Sequence, residues 1–233
     1  MPITDNTPIL TEAGKVKRIL DKDDQDRWGF AIYRCTYADD AAWDRFKNII
    51  TARARKEIQE SDRPEILDTF EWKFFEDREK FDNATTAFLR EHFNQWAREN
   101  WQREQPRGSP LKTLRTPRYK FFIRVDREAL DSVLAGANES PDARPWLRQT
   151  GWVYFVDATW TPALDDVDSD TESIDMPDLD FEPIEGCCEE DVGWMKVPAD
   201  RICTVLYALF ECDASLWKYH YTRPPGMDMV LWP

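Results

Sequence analysis

The chain is short of the residues that build most catalytic and metal sites. Only two of its 233 residues are His, His92 and His220. A Ser-His-Asp triad therefore has little base to choose from, and His92 falls in a helical pattern that suits packing or a surface. The five Cys, at 35, 187, 188, 203 and 212, contain no C-x-x-C pair. With so few His they offer no zinc-ligand spacing, so no metal is expected. An odd number without a framework reads as free thiols of a reducing compartment. There are eight Gly and no P-loop, G-x-G-x-x-G or G-x-S-x-G string, which removes the phosphate cradles, the dinucleotide fingerprint and the hydrolase elbow. No cofactor is expected. No N-terminal run has signal-peptide character and no window approaches the roughly 18 apolar residues of a membrane span. The expected location is cytoplasmic, away from membranes.

Aromatic residues, by contrast, are abundant: 11 Trp, 13 Phe and 7 Tyr within a hydrophobic share of 42%. A chain of this size can bury roughly 70% of its unfolded surface, so a large core is available. The formal net charge of −14 and the pI of 4.7 argue at first against a nucleic-acid partner. Their distribution reverses that impression. Residues 164 to 191 hold thirteen Asp or Glu and no Lys or Arg, so the remainder of the chain carries only −1. Residues 101 to 127 lean the other way, with eight cations against Glu104 and Asp126, a local balance of +6.

Residues 1 to 27 have mixed charge and no sustained period, and are read as a loosely ordered arm before a single α+β domain at 28 to 233. WGFAIYRCTY (28 to 37) is an aromatic, β-branched strand, and Asp39 caps a helix with Trp43, Phe46, Ile50 and Ala54 on one face. TFEWKFFED (69 to 77) alternates as a strand. Residues 82 to 104 carry a helical stripe of Phe88, Leu89, Phe93, Trp96 and Ala97. The segment 106 to 117 is a proline-rich loop, followed by a strand at 118 to 126 and a short helix capped by Asp126. Further strands are expected at 151 to 160, 192 to 197 and 217 to 222, with a helix at 200 to 211. The recurring strand, Asp and amphipathic helix suit a mainly antiparallel sheet with helices on one face, of ferredoxin-like split βαβ kind. The acidic stretch at 164 to 190 is a mobile insert in that plan.

Side-chain alternation places Lys120, Phe122 and Arg124 on one face of their strand. Arg34, Trp194, Lys196, Tyr219 and Tyr221 are expected on the same side, giving a cationic and aromatic surface suited to a polar ligand. The same composition also describes ordinary strand rims, where Lys and Arg snorkel. The basic stretch can bind phosphates or pair with the acidic segment, which would then screen it within the roughly 8 Å Debye length of physiological salt.

The strings WGFAIYRCTYADDAAWDRF, FEDREKFDNATTAFLREHFNQW, FFIRVDREALDSVL, GWVYFVDATW and DVGWMKVPADRICTVLYALF resemble a large family of small proteins from filamentous fungi. Through it the chain resembles the fungal arginine-containing cyclodipeptide synthases, which join two aminoacyl groups taken from charged tRNA. The resemblance implies an aminoacyl-tRNA partner, no ATP site and no metal. It also implies a carboxylate for the arginyl side chain, with Asp39 and Asp157 as candidates. Tyr33, Cys35, Tyr219 and Tyr221 are candidate acyl acceptors or proton carriers. Arg34, Trp194, Lys196 and His220 are candidates to line the substrate. Arg107, Lys112, Arg115, Arg118, Lys120 and Arg124 would meet the tRNA backbone. The alternative from the residues themselves is a non-catalytic interaction protein whose acidic segment recruits a basic partner.

Overall fold

The computed structural model describes residues 10–137, 151–162, 181–211 and 214–226. Its centre is β1 (Ala31–Arg34), which is buried along its whole length. It pairs in parallel with β2 (Lys73–Phe75) on one side and β3 (Phe121–Val125) on the other. The antiparallel strands β4 (Trp152–Asp157) and β5 (Trp194–Pro198) complete the order β2-β1-β3-β4-β5. The sheet is therefore mixed, which corrects the expectation of a mainly antiparallel one. The β1–α2–β2 unit, with α2 spanning Asp40–Gln59, joins neighbouring strands, whereas a split βαβ unit leaves room for a strand between them.

Helices cover both faces, not one. The reason lies in the strand order: β2 and β3 flank β1 on opposite sides, so two crossovers of the same hand must pass over opposite faces. On one face lie α2 and α7 (Arg127–Gly136), joined by α8 (Thr204–Leu209) and α9 (Ala214–His220). Trp43 of α2 meets Phe74, while Phe210 and Trp217 close on Phe121 and Phe155. On the other face α4 (Thr86–Glu104) sets Phe93 against Phe122 and Trp96 against Phe75. The helix starts follow the sequence. Asp39, Thr85 and Asp126 each accept a backbone N–H of the first turn, an arrangement worth about 1 kcal/mol per cap.

Three further expectations change. Within the supposed N-terminal arm, α1 (Glu12–Lys22) buries Ala13, Val16, Ile19 and Leu20 and packs on α8. Its apolar positions recur at helical spacing in a polar context, too sparse to stand out in the sequence. Residues 217 to 222 are not a strand but the end of α9 and its exit. Trp217 and Tyr221 are four apart and their rings meet, tilted, at 5.8 Å, leaving Tyr219 exposed. In the proline-rich loop, α5 (Pro110–Thr113) and α6 (Pro117–Lys120) begin at prolines, where the missing N–H costs nothing.

Most of the acidic insert, 164–180, lies outside the described residues. Its last part does not behave as a free chain. Ile184 and Cys187 exchange two backbone hydrogen bonds of 2.9 Å around Glu185 and Gly186. Both central residues have positive φ, 50° and 85°, as a two-residue hairpin turn requires. Arg223 holds this hairpin by donating to the carbonyls of Glu182, Glu189 and Glu190.

Candidate functional site

The parallel and antiparallel registers place Phe75, Tyr33, Arg124, Tyr154 and Lys196 directly opposite one another, strand by strand. They form one row across the α4 face of the sheet. The β2 end of the row is closed. Tyr33 is fully buried, stacked 4.6 Å from Phe75, with its hydroxyl 2.8 Å from His92 Nδ1 on α4. Burial, with a smaller contribution from Cys35, pushes the Tyr33 hydroxyl far above its usual value.

The β4 and β5 end is cationic and aromatic. The guanidinium of Arg124 lies 4.9 Å over the Tyr154 ring, and Lys196 Nζ lies 3.8 Å over Trp152. Tyr154 meets both Trp152 and Trp194 edge to face at 5.0 Å. Lys196 and Trp152 are half-buried, whereas Tyr154 and Trp194 are almost covered.

Arg124 is fixed by its neighbours. Its Nη1 donates to Thr86 Oγ1 at 2.8 Å and to Glu185 Oε1 at 2.7 Å, and Thr86 donates to the same Glu185 oxygen at 3.0 Å. Burial opposes the charge of Arg124, but Glu185, Cys35 and Asp126 outweigh it and its pKa rises. Cys35 follows β1 directly and is 2% exposed. Burial pushes its thiol up to about 12, against the opposing pull of Arg124. A thiol in that state is a poor nucleophile.

Above the row, Arg90 of α4 donates to the carbonyls of Asp157, Val192 and Gly193 and stacks 4.6 Å from the Trp160 ring. Gly193 has φ of 72°, and a Cβ there would collide with Trp160 and Arg90. Glycine is what allows the chain to enter β5 beneath this arginine.

The other sequence-predicted residues are dispersed. Arg34 faces the opposite side of the sheet, correcting its placement with Arg124. There it stacks on Tyr37 and Trp43 and pairs with Asp40. Asp39 caps α2, and Asp157 accepts from the N–H and hydroxyl of Thr159. Among the described residues neither carboxylate forms an ion pair with the row's cations. Tyr221 accepts from the Val192 N–H at 3.0 Å, and burial pushes its hydroxyl up to about 12. Tyr219 is 78% exposed on α9, where it meets the ring of His220 edge to face.

The basic stretch does not form one exposed strip. Arg118 is wholly buried and donates to Glu104 and to the carbonyls of Gly29 and Glu71. Arg107 pairs with Asp26, and Lys112 donates to the Lys22 carbonyl. Arg115 is exposed, and Lys120 lies over the edge of the Phe121 ring at 5.9 Å. Tyr33, Cys35, Arg124, Trp194 and Lys196 are thus the predicted residues that the fold brings to one face. Trp152, Tyr154, Thr86 and Glu185 were missed. The first two share strand parity in GWVYFVD, a signal available in the sequence; the last two come from distant segments and have none.

Among the described residues no group of three His, Cys, Asp or Glu is placed to hold a metal ion, and no helix is long and apolar enough to cross a membrane. No family model, curated protein or solved structure matches the chain.

Proposed function

We propose that the chain is an aminoacyl-tRNA-dependent cyclodipeptide synthase that receives the aminoacylated end of tRNA on the β4–β5 half of the α4 face. The observation that carries this reading is the register-aligned row of Arg124, Tyr154 and Lys196, flanked by Trp152 and Trp194. Guanidinium and ammonium groups suit phosphate oxygens, and rings suit stacked bases, each worth roughly 1–3 kcal/mol. The family resemblance of the sequence supplies the reaction. Two ester carbonyls are each attacked by an amine, two amide bonds form as two ester bonds break, and two tRNA 3′-hydroxyls leave. The exchange needs no oxidant, water or external energy source.

Within this reading, Tyr33 stands opposite Arg124 in register and the Cys35 thiol feels the Arg124 charge, while Asp39 and Asp157 remain the carboxylates offered to an arginyl side chain. The test is incubation of the full chain with pools of charged tRNA, including arginyl-tRNA, and mass spectrometry for cyclo-Arg-Xaa products. Absence of product across all amino acids, together with undetectable tRNA binding, overturns it.

A second reading, a non-catalytic interaction protein, is favoured by one observation. The Cys35 thiol and the Tyr33 and Tyr221 hydroxyls are all held protonated by burial, so none is an activated nucleophile. Absence of product together with undetectable binding of charged tRNA would support it.

A further inference from the structure

Glu185 belongs to the acidic stretch, yet its carboxylate turns inward to Arg124. Among the described residues only one of its oxygens, Oε1, is engaged, by Arg124 Nη1 and the Thr86 hydroxyl. A guanidinium presents five donors in a fork made for two oxygens. Here Asp126 stands 3.7 Å from Nη2, and Nε is buried with no hydrogen-bond partner among the described residues. The fork is under-filled by the carboxylate it holds. The side chain of Glu185 is 36% exposed, at the tip of a two-residue turn. It can swing outward without disturbing the carbonyls that Arg223 grips at the hairpin's base.

We infer that Arg124 and Thr86 form a receptor for the phosphate of a nucleotide, and that Glu185 is its intramolecular competitor, displaced when the phosphate arrives. A phosphate offers several oxygens in tetrahedral array, so it can take Nη1 and Nη2 together, the end-on fork, where the carboxylate takes Nη1 alone. The Tyr154 ring beneath Arg124, with Trp152 and Lys196 beyond it, extends the receptor toward a nucleoside. The inference rests on reading this face as the seat of a nucleic-acid end and does not require catalysis. It gives one carboxylate of the acidic segment a defined seat, which bulk screening of a basic strip does not.

Isothermal titration of the full chain with 5′-AMP, inorganic phosphate and adenosine tests it. Glu185→Asn removes the charge and the reach while tolerating the left-handed backbone. Its affinity for 5′-AMP should rise by ~10-fold or more over the unmodified chain, the effect of freeing one charge-assisted hydrogen bond. Inorganic phosphate should gain in parallel from a weaker start, and adenosine should not gain. Adding Thr86→Val or Arg124→Lys should abolish the gain; if the Arg124 variant loses its folded circular-dichroism signal, Thr86→Val decides. Equal 5′-AMP affinities within twofold, or an equal gain for adenosine, overturns the inference. A gain without any cyclodipeptide product sinks the synthase reading alone, whereas product without a gain sinks only the competitor.

Discussion

The hydroxyl of Tyr33 and Nδ1 of His92 lie 2.8 Å apart, tying the central strand to α4 through a seam otherwise made of rings. Phe75 and Phe81 stand 5.1 and 4.9 Å from the imidazole, both edge to face. Burial, followed by Lys80, lowers the His92 pKa below 6.5. The unfolded chain then binds the proton more readily than the folded one, so the stabilisation is present above pH about 6.5 and is lost as pH falls through the folded value. Urea midpoints measured at pH 7.5 and 5.5 should fall further for the unmodified chain than for His92→Gln. Equal pH slopes would remove His92 from the account.

Glu57 gives a slope of the opposite sign. Burial raises its pKa above 4.5, although it accepts from the N–H and hydroxyl of Thr204. Its contribution is fully present below the unfolded value and is lost as pH rises through the folded one. Glu57→Gln keeps an acceptor for Thr204 and carries no charge. Its denaturation midpoint should gain on that of the unmodified chain between pH 4.5 and 7.

Arg118 holds the fold and not a ligand. Replacing it by Leu leaves Glu104, whose side chain is 11% exposed, without its cation. Breaking a buried pair in this way costs about 3–5 kcal/mol, or a fall in Tm of roughly 10 °C for a chain of this length. Thermal unfolding followed by circular dichroism measures it.

Thiol accessibility should separate the cysteines. Cys188 is exposed and Cys187 partly so, while Cys35 and Cys203 are both 2% exposed with pKa values raised chiefly by burial. Iodoacetamide at pH 8 should alkylate Cys188 within minutes and leave Cys35 and Cys203 unmodified until denaturant is added. Peptide mass spectrometry reads the order. Fast labelling of Cys35 in the native chain would show that the strand end opens.

Trp152→Ala removes a half-buried ring that flanks the row at the margin of the core. Binding of charged tRNA, followed by filter retention, should weaken roughly 5- to 150-fold, the equivalent of one lost base stack. Lys196→Ala should weaken binding and flatten its salt dependence.

Much of the fold is legible in the sequence wherever a local rule governs it. Asp39 and Asp126 are readable caps, and the stripe of Leu89, Phe93 and Trp96 marks α4 because one face of that helix is buried. Strand pairing is not local. A continuous apolar run such as Phe30, Ala31, Ile32 and Tyr33 is the mark of a parallel strand buried on both faces, yet beside antiparallel-looking neighbours it reads as a one-sided strand. The string Trp217, Tyr219, Tyr221 contains both a two-residue and a four-residue period, and packing against Phe121 and Phe155 selects the helix. At the site, parity alone groups Lys196 and Trp194 with one face of β5. That Thr86 and Glu185 meet at Arg124 depends on chain segments 99 residues apart and has no sequence signature.

Arg90 and Arg223 grip the segment around 182 to 193 through main-chain oxygens. Every residue carries such an oxygen, so the docking is largely indifferent to which side chains the segment displays. Glu185 can change its charge, and its neighbours their composition, while the hairpin stays moored. Selection can therefore retune the electrical character of this surface at little expense to the body beneath it, which makes the segment the natural place for related chains to diverge in what they admit.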